Sequence, residues 1–167
     1  RYFDWLKTVK PKLDYLLLGV HCSEHDEHLT HYYARYNTPQ QMEEYLRCAL
    51  AGMETGLFSY LAHPELCLAD YPVYDEVCKE IVHSICQKAK ELDMPLEYNL
   101  YGIDKQGRGR QKGLGYPCKI FWEAAAEHGC KAIIGVDAHR PEHFQRQRYL
   151  DARAYLHSLG MTLEEEI

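Results

Sequence analysis

The chain lacks any excess of positive charge. Its 19 Lys and Arg stand against 25 Asp and Glu, a formal net charge of −6, so no basic face is offered to a polynucleotide or an anionic membrane. It also lacks an apolar run long enough to cross a bilayer, and no signal peptide is legible at its start. Its seven cysteines, Cys22, Cys48, Cys67, Cys78, Cys86, Cys118 and Cys130, are odd in number and contain no C-x-x-C pair. That argues against both a zinc ribbon and a disulfide framework. Cys48, Cys78 and Cys86 fall within helical apolar patterns, as reduced core residues do, so a cytoplasmic compartment is expected. There is no internal repeat, low-complexity tract or linker, and 167 residues make a single domain with one core. The first residue is Arg, followed at once by Tyr2-Phe3-Asp4-Trp5-Leu6; a piece of a longer polypeptide is expected.

What the chain does have is a repeated transition from apolar residues into a polar, ligand-type side chain. Leu16-Leu17-Leu18-Gly19-Val20 runs into His21, Tyr60-Leu61-Ala62 into His63, Pro95-Leu96 into Glu97-Tyr98-Asn99, and Ala132-Ile133-Ile134-Gly135-Val136 into Asp137-Ala138-His139. Such short runs predict buried strands, over 14–20, 58–62, 95–99 and 132–136. Helical patterns separate them. Thr38-Pro39 reads as an N-cap and first helical residue, followed by Met42, Tyr45, Leu46, Ala49 and Met53 on one face. A longer helix over about 74–92 carries Val77, Ile81, Ile85 and Ala89 on one stripe. Another helix resumes near Pro117, and a last one runs from Pro141 to about Leu159. The segments 22–37 and 102–115 read as loops.

Alternating strands and helices predict a parallel α/β sheet with right-handed crossovers. Four strands are too few to close a barrel. A doubly wound sheet would carry a Gly-rich phosphate turn after its first strand, where this chain has His21-Cys22-Ser23-Glu24. Part of a (β/α) barrel is the better reading. The C-termini of its strands open on one rim, so His21, His63, Asn99, Asp137 and His139 are expected to converge there.

Each of these residues has two readings. Residues two apart in an extended segment face one way, so Asp137 and His139 can offer a hard and a borderline ligand to one divalent ion; alternatively, Asp137 caps the following helix and His139 is merely exposed. His63 is fixed at the rim by Pro64, and it either ligates or packs, as does His21. Asn99 either binds substrate or closes the next loop, while Glu97 reads as structural. His25, His28 and His31 sit in a loop dense with charge and Tyr, which reads as a solvated lid. His83, His128, His143 and His157 read as surface residues on helices. Lys105, Arg108, Arg110 and Lys112, and also Arg140, are either solvated cations or holders of a substrate phosphate.

The ordered set Gly19-Val20-His21, Ala62-His63-Pro64-Glu65, Leu96-Glu97-Tyr98-Asn99-Leu100-Tyr101-Gly102, Tyr116-Pro117 and Gly135-Val136-Asp137-Ala138-His139-Arg140-Pro141 resembles the C-terminal two-thirds of the PHP-domain histidinol-phosphatases. The resemblance implies part of a distorted seven-stranded (β/α) barrel whose N-terminal strands lie outside this chain. It implies up to three divalent ions (zinc, manganese or iron) at the rim: His21 and His63 on one, Asp137 on a neighbour, His139 on a third. The activity implied is metal-assisted hydrolysis of a small phosphate monoester, foremost L-histidinol phosphate in histidine biosynthesis. Asp137 would orient the nucleophile, and His139 would stabilise the departing alkoxide. Asn99, Arg110, Lys112 and Arg140 would contact substrate.

The sequence departs from that pattern in three places. The family's opening His-x-His, a further His and a bridging Glu precede the first strand and have no counterpart here. Val136 stands where Ser is common. No cation precedes Tyr116, and Arg110 or Lys112 is the expected substitute. Two alternatives stay open: another phosphoester such as a nucleotide, or a metal-binding fragment without activity. Neither a nucleic acid nor a membrane is expected as partner, and exposed sheet edges predict self-association.

Overall fold

The protein is described here as a computed structural model covering residues 2–23 and 31–166. Five strands form one sheet in the order β1-β2-β3-β4-β5, every neighbouring pair parallel. They are β1 Leu17–Gly19, β2 Tyr60–Ala62, β3 Leu96–Asn99, β4 Lys131–Gly135 and β5 Thr162–Leu163. Six helices accompany them: α1 Tyr2–Val9, α2 Pro39–Met53, α3 Glu76–Glu91, α4 Leu100–Gly107, α5 Lys119–Glu127 and α6 Arg146–Ser158. Spatial order equals chain order, so each crossover steps to the next strand in the same direction. With one crossover hand, that lays the helices on one face, and α2 packs on α3 and α3 on α5. A doubly wound sheet would reverse its order. The sheet among the described residues is singly wound, with β1 and β5 at its edges. Closure into seven strands is not seen among the described residues.

The strand pleat explains why these short runs suffice. Leu18, Leu61, Leu96 and Ala132 point to the helices and are buried against Met42, Tyr45, Ala49, Ile81, Ile85, Phe121 and Trp122. The intervening residues face the other way. Leu17, Tyr60, Ala62, Glu97, Asn99 and Ile133 line an open groove of about 450 Å³ that ends at His21, His63 and Asp137. Six of the cysteines lie within or beside the core and all seven are free thiols; Cys22 is exposed. No described helix is long and apolar enough to cross a membrane.

Helix starts follow the sequence signals. Thr38 accepts from Gln41 N while Gln41 returns a bond to Thr38 N, a reciprocal cap with Pro39 at the first helical position. Asp75 caps α3 through Cys78 N.

Three expectations fail. The segment 102–115 is not all loop, because α4 covers Leu100–Gly107. Its Gly102 is there for close approach: a Cβ would stand 2.3 Å from the Tyr116 carbonyl oxygen. The last helix does not begin at Pro141. A 3-10 turn, Pro141–His143, ends at Phe144 with φ −76° and ψ 84°, and α6 restarts at Arg146. Finally, β5 is a fifth strand of two residues, too short for any periodicity to mark.

Candidate functional site at the strand C-termini

Four side chains from three chain-distant segments meet on the rim. His21, His63, Asp137 and His139 line one cup of about 130 Å³, together with Tyr32, Leu66, Tyr101, Lys105 and Tyr116. The rings of His21 and His63 lie 4.7 Å apart, edge to face. Two glycines make the room. A Cβ on Gly19 would meet His21 Cε1 at 2.8 Å, and one on Gly135 would meet Glu97 Oε1 at 1.8 Å.

Backbone strain is concentrated here. Among the described non-glycine residues only His63 (φ 33°), Asp93 (φ 52°) and Asp137 (φ 47°) have positive φ. Two of the three are candidate ligands, and left-handed conformations for such residues persist only where their surroundings over-determine them. At His63 the surroundings do so. Its N–H donates to Glu97 Oε2 at 3.0 Å. The Tyr45 hydroxyl donates to the carbonyls of His63 and Pro64. Two residues on, the buried Glu65 carboxylate accepts from Trp122 Nε1 at 2.7 Å and Cys118 N at 3.2 Å.

Burial, reinforced by neighbouring His21, pushes the His63 pKa down to about 3, so its ring is neutral at physiological pH. Its buried Nδ1 has no hydrogen-bond partner among the described residues. A neutral imidazole with an orphaned ring nitrogen, touching a second imidazole, fits two ligands of a borderline divalent ion. Among the described residues, however, no three His, Cys, Asp or Glu side chains stand close enough to hold an ion by themselves.

Asp137 and Asn99 are bound together. Asn99 Nδ2 donates to Glu97 Oε2 at 3.0 Å and to Asp137 Oδ2 at 3.2 Å, and Asn99 Oδ1 accepts from Gly102 N at the start of α4. Both amide hydrogens are used, so Asn99 positions the two carboxylates and caps a helix rather than presenting a free donor. Glu97, 5% exposed, ties β3 to His63. His139 Nδ1 lies 2.9 Å from the Asp137 carbonyl, an acceptor, which sets Nδ1 as the protonated nitrogen and leaves Nε2 with its lone pair. The ring stacks on Tyr101 at 4.2 Å. His143 is not the surface residue expected: it is 6% exposed and its Nδ1 accepts from His139 N at 3.0 Å.

The expected substrate cations are elsewhere. Arg110, Lys112 and Arg140 are exposed and line neither the cup nor the groove. The cation in the cup is Lys105, the last-turn lysine of α4. Its Nζ donates to the Tyr116 hydroxyl at 2.9 Å and lies 4.8 Å from the Tyr101 ring centroid. Lys105 is among the cations the sequence offers for a phosphate, and α4, where a loop is expected, is the element that carries it to the cup. His25 and His28 lie outside the described residues. His31 is no solvated lid residue, because its Nε2 is 2.6 Å from Oδ1 of the buried Asn37.

A parallel sheet in chain order, with polar side chains gathered at the strand C-termini, defines an α/β fold with a polar site at one end of the sheet. No protein-family model matches the chain, and no curated protein matches it. Among solved structures it is similar to histidinol phosphate phosphatase from Lactococcus lactis subsp. lactis Il1403, a crystal structure complexed with zinc, L-histidinol and phosphate. The TM-score is 0.63 at 16% identity, over 96% of this chain and 61% of that one. At that identity the likeness is one of fold, and the chain spans about three-fifths of the neighbour's length.

Proposed function

We propose that this chain forms the C-terminal rim of a metal-dependent phosphatase acting on a small phosphate monoester, with L-histidinol phosphate as the leading candidate. The observation that carries the reading is the convergence of His21, His63, Asp137 and His139 on one cup that also holds Lys105. The fold neighbour, a histidinol phosphate phosphatase with zinc and phosphate bound, supports it.

In this reading His21 and His63 hold a divalent ion through neutral ring nitrogens, and Asp137 and His139 serve neighbouring ions. A divalent ion there supplies Lewis acidity toward a phosphoryl oxygen. The protein's own groups do the rest. Asn99 and Glu97 fix Asp137 and His63 in their strained conformations, which holds the reacting phosphate at a constant place. Lys105 has two ammonium hydrogens beyond the one given to Tyr116, and it neutralises phosphate charge in the cup. Tyr101, stacked on the His139 ring, holds its orientation beside the cup. The net charge of −6 disfavours a polynucleotide substrate.

Phosphatase assay of the protein with manganese or zinc, across a panel of monoesters, tests the reading. His63→Ala and Asp137→Asn should each reduce turnover by more than about a hundredfold, the scale of losing one group that stabilises developing charge. Turnover that survives both substitutions overturns the assignment. The protein is expected to retain zinc or manganese at the rim. Metal content after dialysis measures that directly.

A further inference from the structure

Away from the rim, two histidines that the reading above does not use face one another across the helical layer. His83 projects from the middle of α3, and His128 is the C-cap of α5. His83 Nδ1 lies 3.0 Å from His128 Nε2, and the ring centroids are 5.3 Å apart. Among the described residues neither ring makes another hydrogen bond. One ring nitrogen must donate and the other accept, so at least one imidazole carries a lone pair aimed at its neighbour.

The spacing suits a chelate. Bonds of about 2.0–2.1 Å from imidazole nitrogen to a divalent ion, spanning 3.0 Å, subtend an angle of about 90° at the ion. That is the cis arrangement of a square-planar or octahedral centre, and a few tenths of an ångström of opening reaches the tetrahedral one. To chelate, the donor ring moves its proton to its other nitrogen and both rings turn so that their lone pairs meet at the ion. Both residues are also held in place. Lys90 Nζ donates to the Gly129 carbonyl at 3.0 Å, and Cys130 Sγ donates to the Cys86 carbonyl at 3.2 Å. Both bonds tie α3 to the turn that follows His128, so the pair is fixed before any ion arrives.

We propose that His83 and His128 form a bis-imidazole site for a borderline divalent cation, Zn(II), Ni(II) or Cu(II), which clamps α3 to α5. Imidazole donors select these ions over Mg(II) and Ca(II), whose preference is for oxygen. Water completes the coordination on the exposed side.

Nickel titration tests it, followed by calorimetry and by thermal melting, on the wild-type chain and on His83→Gln, His128→Gln and His21→Gln. The wild type should bind nickel at this pair and melt at a higher temperature in its presence. His83→Gln and His128→Gln should each weaken that event by more than about tenfold, the lower end even for loss of a mere supporting partner. His21→Gln, altered only on the rim, should retain it. Magnesium should leave the melting temperature unchanged. Wild-type nickel affinity and stoichiometry in His83→Gln overturn the proposal, as does a wild type whose nickel binding is all lost in His21→Gln. His83 is exposed on its helix, so circular dichroism should show that variant folded; should His128→Gln disturb the end of α5, His83→Gln alone decides.

Discussion

Alanine at position 135 should be costly in this protein, and should become harmless when Glu97 is also shortened. A Cβ at 135 would sit 1.8 Å from Glu97 Oε1 and 2.4 Å from Glu97 Cδ. The carboxylate must therefore leave its place between the strands. In leaving it gives up two bonds, from His63 N and from Asn99 Nδ2, both 3.0 Å. Hydrogen bonds to charged groups contribute about 1.5–3 kcal/mol each, which bounds the loss near 6 kcal/mol. Partial relaxation of a flexible side chain brings the expected cost to about 3 kcal/mol. With Glu97→Ala already in place the obstacle is gone, and Gly135→Ala should instead stabilise by about 0.5–1 kcal/mol, the usual gain from removing a strand glycine. The coupling is then about 3–4 kcal/mol, well beyond the error of a double-mutant cycle. Urea denaturation of the four proteins at neutral pH measures it. Equal effects of Gly135→Ala in the two backgrounds would falsify the argument, because Glu97 would then have nothing to do with the glycine.

Glu65 is fully buried and its pKa is pushed up to about 7 by burial, which the bonds from Trp122 and Cys118 only partly oppose. A raised folded-state pKa stabilises below the unfolded value near 4.5, and that contribution disappears as pH rises through about 7. The shift corresponds to about 3 kcal/mol. Glu65→Gln keeps the acceptor without the charge, so it should match the wild type near pH 4.5 and exceed it by about that amount at pH 8. The difference profile cancels the opposite trend from His63, whose lowered pKa adds stability as pH rises from about 3 to 6.5; a flat difference refutes the assignment. At Lys105, replacement by Met should abolish the rise in melting temperature that inorganic phosphate gives the zinc-loaded protein, whereas Lys105→Arg should keep part of it. Equal phosphate responses in Lys105→Met and wild type would show that the ammonium group does not face the anion.

Much of this arrangement could be read from residue order. Apolar runs ending in His or Asp were legible because strand and ligand are contiguous. Thr38-Pro39 marked a helix start because a cap acts within four residues. One local signal went unread. Gly19 and Gly135 stand two residues before His21 and Asp137, on the same face of their strands, and mark where bulky polar groups lie over the sheet. What stayed hidden depends on contacts between distant segments. The helix α4 contains two glycines, and it exists because Asn99 caps it and Tyr116 presses on Gly102. Lys105 enters the cup only as a result of that helix. His143 is buried because the chain turns at Phe144, not because of any periodicity. The two-residue strand β5 is defined by its partner, since Glu164 N donates to Ala132 O.

The positive φ angles at His63 and Asp137 set a limit on how this protein can be improved. Glycine would suit either backbone better, by about 1 kcal/mol or more, so a screen for thermostability alone should enrich glycine at both positions. Each such winner would have discarded a donor atom from the cup. Robustness and reactivity thus compete at two named residues, and a stabilised variant of this chain should be sought in its helical layer instead.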